Sequence, residues 1–279
     1  MQHGHAVKVI SSDPERQKNI EVLGATAAIG SVEDADFLKD VFIGTDAVYT
    51  MVPPHDFFDQ SHNLLERYQR IGNNFSQAIR QSGVKRVVHL SSVGAHLDQG
   101  TGIVLGHHAV ESIMNDLPPD IAITFMRPTA FYYNLYSFIG SIKSSGMIAS
   151  NYGANDMVAW VSPTDIANAI AEELVTPQVG RKVRYVTSEE LTCNDVAAIL
   201  GAAIGKPDLK WVLIPDAQLQ SGMEAFGMNR QLARGLVEMQ TGMHSGVFIE
   251  DYYRNKPAVM GKIKMKDFAK KFAAAYNKG

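Results

Sequence analysis

The 279-residue sequence predicts an α/β fold built on a doubly wound parallel sheet, with a smaller C-terminal cap. Short apolar runs alternate with amphipathic stretches of helical length through the first half of the chain. Strands separated by such helices form right-handed β-α-β units, and the resulting parallel sheet is covered on both faces. The alternation loosens after about residue 130. The second half is therefore expected to cap the strand ends, where open α/β sheets bind ligands.

Capping and turn residues define the first two strands and the helix between them. An apolar run at 6–10 predicts the first strand. Asp13 predicts a helix N-cap and Pro14 the first helical position, because a helix start leaves that N–H unpaired in any case. Gly24 predicts the end of this helix, since glycine readily adopts the left-handed conformation of a C-cap. Residues 26–29 predict the second strand.

The remaining elements follow the same periodicities. Apolar residues spaced by three or four predict helices, and apolar runs bounded by turn residues predict strands. Further strands are predicted at 46–51, 84–90, 122–126, 182–187 and 211–214. Further helices are predicted at 34–42, 59–82, 106–115, 163–174, 193–204, 216–245 and 266–276.

The composition excludes several classes of protein. A formal net charge of −3 argues against bulk nucleic-acid binding, which needs a basic face. No apolar run approaches the ~20 residues of a membrane span. The single cysteine, Cys193, has no partner for an intramolecular disulfide and is interpreted as a core residue. We therefore expect a cytoplasmic protein without nucleic-acid or membrane contacts. No metal site is expected, because the pairs His3/His5 and His107/His108 lack further ligands.

Several short motifs occur in a recognisable order. They include Gly-Val-Lys-Arg-Val-Val-His-Leu-Ser-Ser at 83–92 and Met-Arg-Pro-Thr-Ala-Phe at 126–131, followed by Asn134. The other matching stretches are 4–9, 23–31, 44–53 and 160–167. In this order and spacing they resemble the NmrA-like family of atypical short-chain dehydrogenases. The resemblance implies an NAD(P)-binding Rossmann-like sheet and runs from residue 4 to about residue 215.

The resemblance includes one departure. In the family, a first strand, a Gly-x-x-Gly-x-x-Gly loop and a helix precede the stretch that matches Gly4-His5, and this unit binds the pyrophosphate. Only three residues precede Gly4 here. We therefore expect residues 1–150 to form a Rossmann-like core lacking its first β-α unit, and residues 151–279 to form a substrate-side cap that also completes the core. Because a missing central strand exposes both neighbouring edges, we expect a truncated chain or poor stability, with lost dinucleotide binding as the alternative.

One stretch imitates the missing loop. Residues 24–30 read Gly-Ala-Thr-Ala-Ala-Ile-Gly, with alanine in place of the middle glycine. A true loop follows a strand and opens a helix, whereas Gly24 follows a predicted helix. We interpret this stretch as the family's third strand.

The strand ends supply the cofactor residues that the resemblance implies. Ser11, Ser12 and Arg16 favour NADP over NAD, because they leave room for a 2′-phosphate and can donate to it. Helix capping by the two serines is the alternative. The other candidates are Gly30 and Ser31 beside adenine, Met51, Val52 and Pro53 beside the ribose, Ser91 and Ser92 under the nicotinamide, and Pro128 and Thr129 after the sixth strand. Ordinary turn chemistry is the alternative for each.

The candidate catalytic residues depart from the dehydrogenase pattern. Short-chain dehydrogenases use Tyr-x-x-x-Lys on one helix face, and here His107 and Glu111 occupy those positions. His107 could polarise a carbonyl or act as an acid, and Glu111 could hold it by a hydrogen bond or stabilise the helix. Tyr252 and Lys256 also have this spacing, but they lie outside the family's order and are interpreted as chance.

The function follows from this departure. Phe131, Tyr132, Tyr133 and Asn134 could form an aromatic pocket for a flat substrate, or a hydrophobic hinge between cap and core. Without a tyrosine–lysine pair, we predict an NAD(P)H-dependent reductase of a small quinone or carbonyl compound, because hydride transfer carries most of that mechanism. A non-catalytic redox sensor that binds the dinucleotide is the alternative. A homodimer is possible.

Overall fold

The computed structural model describes residues 4–61 and 63–278 as a mixed α/β structure. Its strands are β1 (Lys8–Ser11), β2 (Thr26–Ile29), β3 (Val48–Met51), β4 (Arg86–Leu90), β5 (Ala122–Pro128), β6 (Ala130–Phe131), β7 (Met147–Ser150), β8 (Met157–Val161), β9 (Arg181–Val186), β10 (Glu189–Thr192) and β11 (Lys210–Leu213). Its helices are α1 (Gln17–Val22), α2 (Ala35–Phe42), α3 (Leu64–Ser82), α4 (Leu105–Asn115), α5 (Ile139–Ser145), α6 (Pro163–Val175), α7 (Cys193–Ala203), α8 (Asp216–Ala225), α9 (Arg230–His244), α10 (Ile249–Arg254) and α11 (Met265–Lys278). Short 3₁₀ helices cover Pro14–Arg16, Gly102–Val104 and Tyr132–Phe138. Within the described ranges, none of the helices is long and apolar enough to cross a membrane.

Two parallel sheets organise the first half of the structure. β3, β4, β5 and β9 are hydrogen-bonded in that order, and every pair is parallel. β1 and β2 form a separate parallel pair. Among the described residues no backbone pairing joins β1 to β3, so each of these strands has an unpaired edge. The predicted parallel Rossmann-like sheet is confirmed, and it is interrupted beside the strand that matches the family's second.

Helices α2, α3 and α4 cover one face of the main sheet. Their apolar side chains form a cluster with those of the strands, which includes Leu38, Ile71, Phe75, Val87 and Ile123. β1 is attached to the same layer, since Ile10 packs against this cluster and Lys8 Nζ donates to the carbonyl of Val41 at 3.0 Å. The apolar contact of Ile10 with this cluster, at ~25 cal/mol per Å² buried, and the Lys8 hydrogen bond thus attach the β1–β2 pair to the helical layer.

Glycines allow α3 and α4 to approach each other closely. A Cβ added at Gly106 in α4 would lie 2.6 Å from ring carbons of Tyr68 in α3. A Cβ added at Gly72 in α3 would lie 3.2 Å from side-chain carbons of Val110 and Ile113. The contact places Tyr68 beside the turn of α4 that carries His107.

The opposite face of the main sheet is covered by α6. Ser162 caps this helix by accepting a hydrogen bond from the Thr164 N–H, and Pro163 takes its first position, as the sequence predicts. Ile166 packs on the sheet in a cluster with Val88 and Met126. Helices therefore cover both faces, and the doubly wound arrangement is confirmed.

The predicted start of α3 was wrong by five residues. Asn63 caps α3 by accepting hydrogen bonds from two backbone N–H groups. Ahead of it, the carboxylate of Asp56 accepts from the Phe58 N–H at 2.9 Å and that of Asp59 from the Ser61 N–H at 2.8 Å. These side-chain hydrogen bonds hold turns that compete with helix.

The predicted helix over 216–245 is divided into α8 and α9. Gly227 adopts a φ of 93°, which reverses the chain after α8. Asn229 then caps α9 by accepting from the N–H groups of Gln231 and Leu232. The two helices form a hairpin whose turn lies beside the segment that follows β3.

The second half of the chain completes the main sheet and adds a group of elements outside it, here called the cap, whose position over a substrate stays a prediction. β9 and α6 belong to the main sheet and its cover, whereas β8 pairs with β6 and β10, and β7 pairs with β11. α7 and α11 contribute to a second core with Trp160, Trp211 and Phe272. Cys193 is fully buried in that core. A domain boundary at residue 150 stays a prediction.

Gly106→Ala is expected to destabilise the protein although alanine is the better helix former. The helical gain is about 1 kcal/mol. The added methyl group overlaps the ring of Tyr68, and overpacking costs roughly 1–3 kcal/mol. We expect a net loss of about 1 kcal/mol in the free energy of unfolding, measured by urea denaturation.

Gly222→Ala in α8 is the matched control for this substitution. No atom lies within 4 Å of a Cβ added there, so its stability should be unchanged or raised. Equal behaviour of the two variants would contradict the close contact between α3 and α4.

Candidate functional site

The candidate residues of the main sheet meet where β4 and β5 end. The Ser91 N–H donates to the carbonyl of Met126 at 2.8 Å. Two residues further on, the Val93 N–H donates to the carbonyl of Pro128 at 3.0 Å. Pairing therefore continues past both strands and places 91–93 beside 128–129. This carboxyl edge of a parallel sheet is the usual ligand site of such folds.

A buried ion pair lies behind this edge. Glu111 of α4 and Arg127 of β5 are only 5% and 6% exposed. Arg127 Nε donates to Glu111 Oε1 at 2.9 Å, and Nη2 donates to Oε2 at 2.6 Å. Ser91 Oγ donates to Glu111 Oε1 at 2.5 Å. The bidentate pair fixes the end of β4 against α4 and β5.

The same guanidinium reaches the cap. Arg127 Nη1 lies 3.2 Å from Asp251 Oδ2 in α10, and the Tyr185 hydroxyl of β9 donates to that oxygen at 2.5 Å. Burial, together with the hydrogen bond to Asp251, raises the pKa of Tyr185 well above its ordinary value. Arg127 thus joins two strands, one core helix and one cap helix through charged or hydrogen-bonded contacts.

The predicted hydrogen bond from Glu111 to His107 is wrong. Both carboxylate oxygens of Glu111 bind the guanidinium of Arg127, and one of them also accepts from Ser91. The i,i+4 spacing places the two residues on neighbouring turns. The carboxylate pairs with Arg127 instead, because a buried guanidinium without a counterion is strongly destabilising. Glu111 therefore acts on the site by holding Ser91 and Arg127.

His107 faces α3. Its Nε2 lies 3.5 Å from the Tyr68 hydroxyl, and the two rings meet edge to face at 5.1 Å. Burial of the imidazole lowers the pKa of His107 to about 4. At neutral pH the ring is therefore uncharged, so it can donate an N–H hydrogen bond but does not start as an imidazolium acid. Its Nδ1 is buried without a partner in the described part of the chain.

A second buried histidine lies in β4. His89 is fully buried, and its Nδ1 lies 3.0 Å from Thr50 Oγ1 on the neighbouring strand. Burial, with a smaller contribution from His107, lowers the pKa of His89 to about 3. Its Nε2 is likewise buried and unpaired among the residues described. The site is thus backed by two neutral imidazoles.

The candidate residues of the β1–β2 pair form a second group. The Gly30 N–H donates to the carbonyl of Ser11 at 2.9 Å, which brings the two strand ends together. Ser11 Oγ accepts from the Asp13 N–H at 3.2 Å, but the helix is capped by Asp13, whose carboxylate accepts from the Glu15 N–H at 2.9 Å. Ser12 is exposed, and Arg16 has only a 4.0 Å contact with Asp13 while its side chain is 72% exposed. Its guanidinium is held by this one long ion pair and is otherwise exposed to solvent.

Gly30 and Ser31 have local structural roles. A Cβ at Gly30 would lie 2.6 Å from the ring of Phe37, so packing requires glycine there. Ser31 Oγ accepts from the Glu33 N–H at 3.1 Å and stabilises the turn before α2. The structure therefore gives these two residues roles in packing and in the turn before α2. Contact with adenine stays a prediction.

The described residues fit a dinucleotide at its two ends. Arg16 lies after β1 and is mostly exposed, and the half-buried Met51, Pro53 and Ser92 border the carboxyl edge of the main sheet. The remaining candidates there are buried and engaged internally: Val52, Ser91, Pro128 and Thr129. Between them, residues 24–30 form a turn and β2, which confirms that this stretch is not a phosphate loop. Nowhere in 4–61 and 63–278 does a glycine-rich loop connect a strand to a helix as a pyrophosphate cradle.

The four candidate substrate residues do not line one pocket. Phe131 faces an apolar groove beside α6 of about 340 Å³. Tyr132 is buried, stacks on Phe268 at 5.4 Å and donates its hydroxyl to Glu189 at 2.7 Å. Tyr133 and Asn134 are exposed. The hinge interpretation therefore describes Tyr132, because its ring joins the cap helix α11 to the core.

Sequence reasoning missed the residues that hold the site together. Arg127, Asp251, Tyr185 and Tyr68 carry these contacts, and none stood among the candidates. The sequence did contain one sign of these contacts, which is a charged or polar residue inside an apolar strand, such as Arg127 or His89. Buried polar groups need partners, so such residues indicate a buried polar contact. The partners themselves lie far away in the sequence.

The structure offers no sign of metal or thiol chemistry in its described part. No group of three or more histidine, cysteine, aspartate or glutamate residues there could hold a metal ion. Burial raises the pKa of the Cys193 thiol well above its ordinary value, so the thiolate is disfavoured.

Glu111→Ala is expected to lower the free energy of unfolding by about 3–5 kcal/mol, because it leaves the guanidinium of Arg127 without its closest counterion. Urea denaturation followed by circular dichroism measures the loss. Glu238→Ala on exposed α9 is the control and should change stability by less than about 0.5 kcal/mol. A small effect at Glu111 would contradict the role of this pair.

Acid is expected to destabilise the fold through the two buried histidines. The unfolded chain binds protons at the ordinary pKa of 6.5, whereas folded His89 and His107 titrate at about 3 and 4. The stabilisation is therefore complete above pH 6.5 and is lost as the pH falls toward those values, by up to ~1.4 kcal/mol per pH unit for each histidine. Urea denaturation between about pH 7 and 5 measures the slope. His89→Gln should flatten the slope, and an unchanged slope in His89→Gln would refute the assignment.

Comparison with solved structures supports the fold. A crystal structure of an NADPH-dependent quinone oxidoreductase from Escherichia coli, complexed with NADPH, superposes with a TM-score of 0.77 at 17% identity, covering 94% of this chain and 88% of that one. The triphenylmethane reductase of Citrobacter sp., complexed with NADP(H), gives 0.75 at 18% identity, covering 95% and 90%.

A curated relative and a family model give the sequence-level comparison. The (4-alkanoyl-5-oxo-2,5-dihydrofuran-3-yl)methyl phosphate reductase of Streptomyces griseus is 27% identical over 203 residues. The match covers 72% of this chain and 66% of the relative, just under two thirds of its length. The model of the NmrA-like family matches residues 1–254. With the parallel sheet and its ligand edge in place, this match shows that the chain belongs to the NmrA-like family.

Proposed function

We propose that the protein is an NAD(P)H-dependent reductase of a small quinone or carbonyl compound, with NADP preferred over NAD. The observation that carries the proposal is the family match over residues 1–254. The similar proteins named above are reductases or oxidoreductases, and two of their structures contain NADPH or NADP(H). Membership of a binding family with a ligand edge of this form supports a nicotinamide dinucleotide as cofactor.

The arrangement of side chains suits hydride transfer. When bound, the nicotinamide supplies the hydride, so the protein needs little acid–base chemistry of its own. Arg16 would meet the 2′-phosphate of NADP, and Met51, Pro53 and Ser92 would border the ribose and nicotinamide end. His107 would serve as a neutral hydrogen-bond donor toward a substrate oxygen. Glu111 would be a positioning residue that acts through Ser91 and Arg127.

The sensor hypothesis is the less favoured one, because the proteins similar to this chain are named for reductase activities. It keeps a clear signature, which is cofactor binding without turnover. A cytoplasmic location and a homodimer remain predictions of the sequence.

Arg16→Gln is expected to weaken NADPH binding about tenfold and to leave NADH binding unchanged, since only NADPH carries the 2′-phosphate that the guanidinium would pair with. Fluorescence titration of the purified chain with each nucleotide measures the two affinities. Lys18→Gln, an exposed change on the neighbouring helix α1, is the matched control and should affect neither. Equal losses for both nucleotides in Arg16→Gln would overturn the NADP preference.

Turnover separates the reductase from the sensor. Oxidation of NADPH is followed by absorbance with a panel of quinones and aldehydes. Consumption that depends on a quinone or aldehyde supports the proposal, whereas tight binding without consumption on any member supports the sensor. If the chain binds neither NADPH nor NADH, both the reductase and the sensor hypotheses are refuted.

A further inference from the structure

A cleft in the cap lies apart from the strand-end site. It opens between α8 and α9, has a volume of about 580 Å³, and is lined by Gln220, Arg230, Gln231 and Arg234. All four side chains end in hydrogen-bond donors, whereas the groove beside α6 is lined by apolar residues and one tyrosine. Two of the four carry a permanent positive charge.

Arg234 is the uncommitted cation of this cleft. In the described part of the chain each other arginine has at least one hydrogen bond or ion pair. Arg234 has none among the residues described, although it is exposed on α9. A guanidinium presents five donors in a planar fork, so an unpaired fork on a residue that lines a cleft can bind an anion.

Arg230 adds a second weakly held cation. Its Nε lies 3.8 Å from Glu224 Oε1, and its side chain is 87% exposed. Glu224 is itself engaged by the amide of Gln220, which donates to Oε1 at 2.7 Å. Among the described residues Glu224 is the one carboxylate within ion-pair distance of either arginine, whereas the lining carries two guanidinium groups.

The cleft belongs to a hairpin that touches the segments around the strand-end site. Asn229 binds the loop after β3, with its N–H donating to the carbonyl of Phe57 at 2.9 Å and its Nδ2 to that of Asp59 at 3.0 Å. The exposed ring of Phe226 packs against Phe58 at the tip of the same hairpin, at 6.0 Å between ring centres. One hairpin thus carries both an exposed aromatic ring, which a flat apolar group could contact, and arginines, which an anion could contact.

We infer that this cleft binds the phosphate group of a small phosphate monoester. Arg230 and Arg234 are one helical turn apart on α9, so both forks can meet a single group from neighbouring positions. A carboxylate is satisfied by one fork, whereas a phosphate monoester is close to doubly charged and offers three terminal oxygens to two forks. Binding here requires no turnover and no dinucleotide, so the inference goes beyond the proposed reductase.

Isothermal titration of the complete chain with phenyl phosphate tests the inference. We expect saturable binding at one site, weakened about tenfold by Arg234→Gln and less by Arg230→Gln, because a charged hydrogen-bonding partner is lost in each. Arg254→Gln, an exposed arginine of α10, is the matched control and should leave the affinity unchanged. Circular dichroism and the melting temperature establish that each variant is folded.

Three results would overturn it. They are absence of phenyl phosphate binding, equal binding by Arg234→Gln, or benzoate binding as tightly as phenyl phosphate. The last would assign the cleft to carboxylates. Retained phosphate binding in a chain that fails to turn over NADPH would support this site while the reductase proposal fails, so the two are separable.

Discussion

Arg127 places a permanent positive charge within a strand whose residues are all buried, and carboxylates from other elements pair with that charge. An unpaired guanidinium at such a position costs several kcal/mol, so at least one carboxylate has to be brought to it. The fold brings Glu111 from α4 and Asp251 from α10. Through Ser91 and Tyr185 the same group of contacts reaches the end of β4 and the edge strand β9. Core and cap are therefore joined at the ligand edge by charge as well as by apolar packing.

This constraint also decides which chemistry the edge can perform. With both oxygens of Glu111 bound to Arg127, no carboxylate is left to orient His107, and burial against Tyr68 keeps that imidazole neutral. His89 behind it is neutral for the same reason. The Glu111 carboxylate is bound to Arg127 and both imidazoles have lowered pKa values, so these groups are weak bases for proton abstraction. Hydride transfer from a bound nicotinamide makes smaller demands, which is why a reductase fits this edge.

The sequence predicted what local patterns control. Pro163 began a helix where the capping pattern placed it, and the parallel order of the strands followed from their spacing. The pairing of Glu111 was predicted from the i,i+4 spacing, but its true partner lies 16 residues away on another element. The sequence also made Tyr132 a candidate pocket residue. In the structure its ring is covered by Phe268 of α11, which lies more than a hundred residues later in the chain. Such choices depend on distant elements competing for one polar group or one apolar surface, and a single sequence does not encode that competition locally.

The two ends of the proposed cofactor site lie on separately paired parts of the sheet, so their spacing depends on what joins these parts. Among the described residues, the joint is the α2–α3 layer. Glu33 pairs with the largely buried Arg67 at 3.4 Å and with the exposed Arg70 at 2.9 Å, and because the Glu33 carboxylate itself is solvated each pair contributes only about 1 kcal/mol. The apolar contact of Leu38 with the α3 cluster contributes more, since that side chain is fully buried. Affinity for a molecule spanning both ends should therefore depend on packing under α2 as strongly as on the residues that would touch the ligand.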